Sequence, residues 1–209
     1  MIKVKICGIT NLEDALAASF LGADALGFIF SRRSPRFINE KAAKKIINSL
    51  DPFLIKAGVF LDQDKEEVLG IASRLHLDVL QFHGSEAPAY CRFFRPNFKI
   101  IKTIFPEEGA CASTVSRYNV DAFLFDIKYE DKQRGSKVLS PLAIEEIKSL
   151  AREKRVIISG GLNPKNLNRI KKIKPYAVDV ASGVESMVGK KDEKLVEKFI
   201  KGIKNEASR

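Results

Sequence analysis

Lys3-Val4-Lys5-Ile6-Cys7-Gly8-Ile9-Thr10-Asn11 joins a short apolar-alternating run to a small turn, and beyond it Leu12, Ala15, Leu16, Ser19 and Phe20 recur at helical spacing. The turn decides the architecture. A doubly wound sheet that binds a dinucleotide carries G-x-G-x-x-G after its first strand, where the glycines serve the tight turn, the approach of the pyrophosphate and helix packing. Cys7-Gly8-Ile9-Thr10 has a single glycine, which points instead to the other large parallel architecture, the (β/α)8 barrel.

The same unit repeats along the chain. Strands are expected at Lys3 to Cys7, Ala25 to Phe30, Leu54 to Phe60, Val79 to Phe82, Lys99 to Thr103, Ala122 to Ile127, Val156 to Ser159 and Ala177 to Val180. Helix starts lie between them: Asn11 and Asn39 as caps, then Ser140-Pro141 and Asn163-Pro164 as a cap followed by a first-turn proline. A last helix from about Asp192 presents Leu195, Val196, Phe199, Ile200 and Ile203 on one face. The spacing of about 26 residues is that of a minimal strand-helix unit, and no composition break interrupts it. The expectation is one TIM barrel over residues 1–209.

With 45% apolar and 30% charged residues in 209, the chain is neither disordered nor a disulfide-stapled miniprotein. No interval between charged residues exceeds nine, so no membrane span is expected, and the opening MIKVKICG lacks the apolar core of a signal peptide. Cys7, Cys91 and Cys111 show no C-x-x-C spacing, which fits a reducing, cytoplasmic home. The net charge of +10 reads as dispersed surface, because Lys190, Lys191, Asp192, Glu193, Lys194, Glu197 and Lys198 interleave both signs. A nucleic-acid partner would call for a continuous basic stripe with exposed aromatics.

Barrel enzymes place their chemistry where strands end. Cys7 ends the first strand, and Asp126 ends the otherwise apolar Ala122-Phe123-Leu124-Phe125, so each is a candidate for proton transfer. Cys7 reads equally as a small buried hydrophobe, the reading that suits Cys91 and Cys111. Lys5 shares the face of Cys7 by the period of two. Its cation favours a thiolate there, as does the N-terminus of the following helix, or it forms a structural pair with Asp179 of the eighth strand. Asp121 and Asp131 read as loop acids.

Ser159-Gly160-Gly161-Leu162-Asn163 and Ala181-Ser182-Gly183-Val184 follow the seventh and eighth strands, where barrels bind phosphate, and Gly160, Gly161, Ser182 and Gly183 let backbone N–H groups approach one. Ser31-Arg32-Arg33-Ser34-Pro35-Arg36 follows the second strand, and the proline restrains Arg36 as the best candidate for gripping a carboxylate. His83 lies at the mouth after the fourth strand, able to donate to a substrate or to a catalytic acid, whereas His76 reads as structural. Two distant histidines, no H-E-x-x-H and no acidic cluster argue against a catalytic metal. Physical reading thus reaches a barrel that works on a phosphorylated small molecule with a second anionic group, without a cofactor; a homodimer stays open.

Lys5-Ile6-Cys7-Gly8-Ile9-Thr10, Ala25-Leu26-Gly27-Phe28-Ile29-Phe30, Gln81-Phe82-His83-Gly84, Ser159-Gly160-Gly161-Leu162-Asn163-Pro164 and Val178-Asp179-Val180-Ala181-Ser182-Gly183-Val184-Glu185 together resemble the phosphoribosylanthranilate isomerases, from Met1 to about Ile203. The resemblance implies an Amadori rearrangement in tryptophan biosynthesis, with Asp126 as general acid, Cys7 as general base, Arg36 on the anthranilate carboxylate and the two glycine loops on the phosphate. The loop after the sixth strand departs from the family's glycine-rich pattern: Lys132-Gln133-Arg134-Gly135-Ser136-Lys137 keeps one Gly-Ser step, which implies a stiffer loop. The histidine-pathway aldose-ketose isomerase resembles this chemistry but has aspartates at both proton-transfer positions, and indole-glycerol-phosphate synthase calls for lysine and glutamate. A basic nucleic-acid-binding module is the alternative from another class.

Overall fold

The computed structural model describes residues 1–106, 110–127 and 140–204. Eight short strands, β1 (Lys3–Cys7), β2 (Ala25–Ile29), β3 (Ile55–Phe60), β4 (Val79–Phe82), β5 (Lys99–Ile104), β6 (Ala122–Phe125), β7 (Val156–Ile158) and β8 (Ala177–Val180), pair in parallel and close on themselves in chain order. Each strand is followed in the chain by a helix, in turn α1 (Leu12–Phe20), α2 (Glu40–Ile47), α3 (Lys65–Leu75), α4 (Pro88–Phe94), α5 (Cys111–Ser116), α6 (Pro141–Leu150), α7 (Leu167–Lys171) and α8 (Glu193–Lys204). Between β8 and α8 lies a hairpin of β9 (Glu185–Met187) and β10 (Lys190–Lys191).

The period of two sorts each strand into two layers. Outward residues such as Val4, Ile6, Leu26, Phe28, Leu80, Phe82 and Phe125 join the apolar faces of the helices in one buried cluster. Phe30, Phe60, Phe82 and Phe94 run through it as adjoining rings with centroids 5.4, 6.5 and 5.2 Å apart. Inward residues form a separate cluster of Ala122, Leu124, Ile157 and Ala177, backed by Ile101.

Most helix signals fall where the sequence places them. Asn11, Asn39 and Ser140 accept from the backbone N–H three residues on, at 2.9, 2.9 and 3.2 Å. Asn163-Pro164 does not begin a helix. Asn163 Oδ1 accepts from Lys165 N at 2.9 Å, an Asx turn that competes with helix nucleation, and α7 starts only at Leu167. Phe30, Leu54, Ile127 and Ser159 lie just outside the strands, while Ile104 extends β5. Asp131 and the 132–137 loop lie outside the described residues.

The seam where the barrel closes carries a charge pair. Lys5 of β1 stands in register with Asp179 of β8, Nζ to Oδ1 is 2.8 Å, and the two residues are 4% and 5% exposed. Room for this pair comes from β2: a Cβ on Gly27 would lie 2.9 Å from Lys5 Nζ and 2.7 Å from Cys7 Sγ. Toward the N-terminal ends of the strands the interior side chains shrink to Ala25, Ala57, Val79, Ala122 and Ala177, leaving a cavity of about 420 Å³. At the same end of the barrel, the turn before β3 presents Phe53 at 95% exposure, its N–H fixed at 2.7 Å by Asp51 Oδ1.

A buried ion costs far more unpaired than paired. Asp179→Ala should therefore lower the unfolding free energy by about 3–5 kcal/mol in urea titrations, and adding Lys5→Met should recover most of that loss. Equal destabilisation in the single and double variants would show that the charge pair is not what the seam depends on.

Candidate active site

At the end of β1, Cys7 is 5% exposed and lies against Lys5, whose ammonium is drawn to Asp179 and to the sulfur alike. Burial pushes the Cys7 thiol above its ordinary range, and the pull of Lys5 and Lys191 toward the thiolate, opposed by Asp179, does not overcome it. The sequence offered a thiolate or a structural ion pair; the structure has Lys5 against both Asp179 and Cys7. The other cysteines sit in α4 and α5. Burial raises Cys91 to about 11 and Cys111 to about 12, as suits core residues.

Asp126 follows β6 and is 6% exposed. Its Oδ1 accepts from Ile127 N at 2.6 Å, and its Oδ2 lies 3.6 Å from His83 Nε2. Gly160, at φ +83°, makes room for it, since a Cβ there would come within 2.8 Å of Oδ1. His83 is held from behind: Gln81 Nε2 and Thr103 Oγ1 stand 3.1 and 3.0 Å from Nδ1, with Phe105 against the ring edge. An Nδ1 that accepts from the Gln81 amide leaves the ring proton on Nε2, the nitrogen that faces Asp126. Neither Gln81 nor Thr103 stands out in the sequence reading, although the period of two puts polar Gln81 on the inward face shared by His83.

Below the mouth, a buried pair shapes the loop that follows His83. Lys102 points outward from β5 to Glu86 at 2.8 Å and to the carbonyl of Gly84 at 2.6 Å, while the Glu86 carboxylate also accepts from Gly84 N and Asp62 N. His76 is the left-handed cap of α3, at φ +49°, and takes no part in the mouth.

The two glycine loops meet. A Cβ on Gly183 would stand 1.7 Å from the carbonyl oxygen of Leu162, so the short 3₁₀ turn Ser182–Val184 packs directly onto the loop after β7. Gly160 and Gly161 both have positive φ, and Asn166 Nδ2 anchors the Gly161 carbonyl at 2.9 Å. Arg36 reaches over from the loop after β2. Its Nε and Nη2 donate to Glu185 at 2.7 and 2.6 Å, and Lys191 Nζ donates to the same carboxylate at 2.9 Å. Arg32 and Arg33 stay exposed, Arg32 over the ring of Phe37. The mouth thus gathers Cys7, Asp126, His83, Arg36 and both glycine loops. Among the described residues no cluster of His, Cys, Asp or Glu is placed to hold a metal ion, and no helix is long and apolar enough to cross a membrane.

Residues 4–202 match the family model described as N-(5'-phosphoribosyl)anthranilate (PRA) isomerase. The chain belongs to that family. The isomerase of Thermotoga neapolitana is 40% identical over 205 residues, covering 98% of this chain and 99% of that protein. The crystal structure of the Thermotoga maritima isomerase superposes with a TM-score of 0.89 at 36% identity, covering 98% of this chain and all (100%) of that one. Similar too are an isomerase in complex with reduced 1-(o-carboxyphenylamino)-1-deoxyribulose 5-phosphate, at TM-score 0.85 and 36% identity over 98% and 100% of the two chains, and monomers of the dimeric Thermotoga maritima isomerase, at 0.86 and 35% over the same shares.

Lys5 is the nearest counterweight to the burial of Cys7, so Lys5→Met should move thiolate formation to still higher pH. Alkylation of Cys7 by iodoacetamide across a pH series, in a Cys91→Ala/Cys111→Ala background, reads this directly; an unmoved midpoint would remove Lys5 from the electrostatics of the site.

Proposed function

We propose that the protein catalyses the Amadori rearrangement of N-(5-phosphoribosyl)anthranilate to 1-(2-carboxyphenylamino)-1-deoxyribulose 5-phosphate in tryptophan biosynthesis, with Asp126 as general acid and Cys7 as general base. The observation that carries it is the convergence, in a member of this family, of a buried cysteine beside a lysine and a hydrogen-bonded aspartate on one barrel mouth. The relative bound to the reduced form of that product supports the same substrate class.

The residues suit the steps. Protonated Asp126 gives its proton to the furanose ring oxygen; the bond from that oxygen to C1 breaks and the nitrogen lone pair closes a C1=N Schiff base. The Cys7 thiolate then takes the C2 proton, the C–H pair becomes a C1=C2 bond and the nitrogen recovers its lone pair as an enolamine. Protonation of C1 and loss of the C2 hydroxyl proton give the ketone, so no proton is consumed overall and no redox cofactor is called for. His83 Nε2–H, aimed at Asp126, orients the acid. Gly160, Gly161, Ser182 and Gly183 hold the phosphate, and Arg36 holds the anthranilate carboxylate.

The same reading extends to setting. Residues 1–209 act as one cytoplasmic barrel domain without a nucleic-acid partner, consistent with surface cations that pair with acids, as in Lys201–Glu197, Arg74–Glu40 and Lys204–Asp24. The protein works as a homodimer. Exposed Phe53 and the apolar cavity lie on the same N-terminal end of the barrel, so a two-fold arrangement lets each copy insert its phenyl ring into the other, as self-complementary interfaces require. The dimeric relative agrees with this.

Cys7→Ser and Asp126→Asn should each lower kcat at least ~10²-fold, followed by the decay of substrate fluorescence, with the circular dichroism spectrum retained. Wild-type turnover in either would take that residue out of the mechanism. Phe53→Glu should convert the protein to a monomer in sedimentation velocity; an unchanged dimer would place the interface elsewhere.

A further inference from the structure

Arg36, the group assigned to the substrate carboxylate, already holds a carboxylate of its own chain. Glu185 engages it on one edge only, through Nε and Nη2. Among the described residues, no bond occupies Nη1, so the Nη1/Nη2 edge stays available for a second carboxylate in the fork geometry that guanidinium favours. Glu185 is itself pinned. Lys191, paired with it in the β9–β10 register, donates to Oε1 at 2.9 Å and to the carbonyl of Ala181 at 3.2 Å, and the side chains of Glu185 and Lys191 are 5% and 2% exposed. Burial works against the Glu185 carboxylate, yet Arg36 and Lys191 outweigh it and hold its pKa below the ordinary carboxylate value.

The hairpin that carries both residues is tied to the turn and helix that follow β1. Lys191 N donates to Asp14 Oδ2 at 2.6 Å, Lys190 reaches Glu13 at 2.7 Å, and Thr10, three residues past Cys7, donates to the carbonyl of Gly189. Arg36 is therefore referenced to the turn that presents Cys7, across the junction between the loops after β1, β2 and β8. A free arginine on an exposed loop would lose side-chain entropy on binding; one clamped in plane by a buried carboxylate has lost it already.

We propose that Glu185 and Lys191 are positioning residues that lock the plane of Arg36 and thereby set the preference of the site for an arylamine bearing a carboxylate. Two like charges close to one guanidinium are tolerated because Lys191 supplies a second cation, leaving the cluster net positive before substrate arrives. This inference rests on the assignment of Arg36 to the anthranilate carboxylate.

The test compares N-(5-phosphoribosyl)anthranilate with N-(5-phosphoribosyl)aniline, which lacks the carboxylate, both made in situ from ribose 5-phosphate and the arylamine. Wild type, Glu185→Gln, Lys191→Met and Arg36→Ala are assayed on each. In Glu185→Gln and Lys191→Met, the ratio of kcat/KM values for the two substrates should fall about 10-fold, mainly through KM for the anthranilate, with a larger fall in Arg36→Ala. Equal losses on both substrates in Glu185→Gln, with the ratio kept, would make the cluster a structural brace and overturn the proposal. A lower KM for the anthranilate in Glu185→Gln would overturn it too, because Glu185 would then compete with substrate for Arg36. If Arg36→Ala itself keeps the ratio, the carboxylate assignment fails and this inference falls with it, an outcome distinct from the other two.

Discussion

The ion pair between Lys5 and Asp179 sits at the one place where the chain must find its own beginning again, the seam between β1 and β8. Every other strand neighbour is the next one in sequence. An apolar seam would close as well, and two ions inside a barrel are costly to desolvate, so the pair is hard to explain by stability alone. Its position explains it better: the ammonium that neutralises Asp179 is the same one that touches the sulfur of Cys7. Closure of the fold and electrostatics of the mouth depend on one side chain, and Gly27 leaves it the space.

The two ends of the barrel are built on opposite principles. At the C-terminal ends of the strands, polar groups are buried and almost fully tied to one another, so Asp126, His83, Gln81 and Thr103 form a chain whose geometry is set before substrate arrives. At the N-terminal ends the interior holds small side chains such as Ala25, Ala57, Ala122 and Ala177 and encloses a cavity rimmed by charged residues such as Lys3, Asp24 and Arg155.

Much of this was legible along the chain because it is local. Cys7 and Asp126 are visible as the residues where apolar runs stop, and Asn11, Asn39 and Ser140 are visible as caps because capping reaches only three residues on. The same local reasoning failed at Asn163-Pro164, where the side chain closes an Asx turn that looks identical in sequence to a helix cap. It also left open whether Cys7 is ionised, since burial outweighs the neighbouring cation by an amount that no spacing expresses.

The alternation of eight strand-helix units and the barrel they build can be read along the chain, since periodicity and turn composition are properties of neighbouring residues. Packing in three dimensions is what brings Arg36 to Glu185 across 149 residues, Lys191 to Asp14 across 177, and Gly183 onto Leu162. The first two pairs join segments that become neighbours when β8 closes on β1, and until that ring is shut nothing in the order of residues brings them within reach, whereas Gly183 reaches Leu162 because β7 and β8 lie side by side.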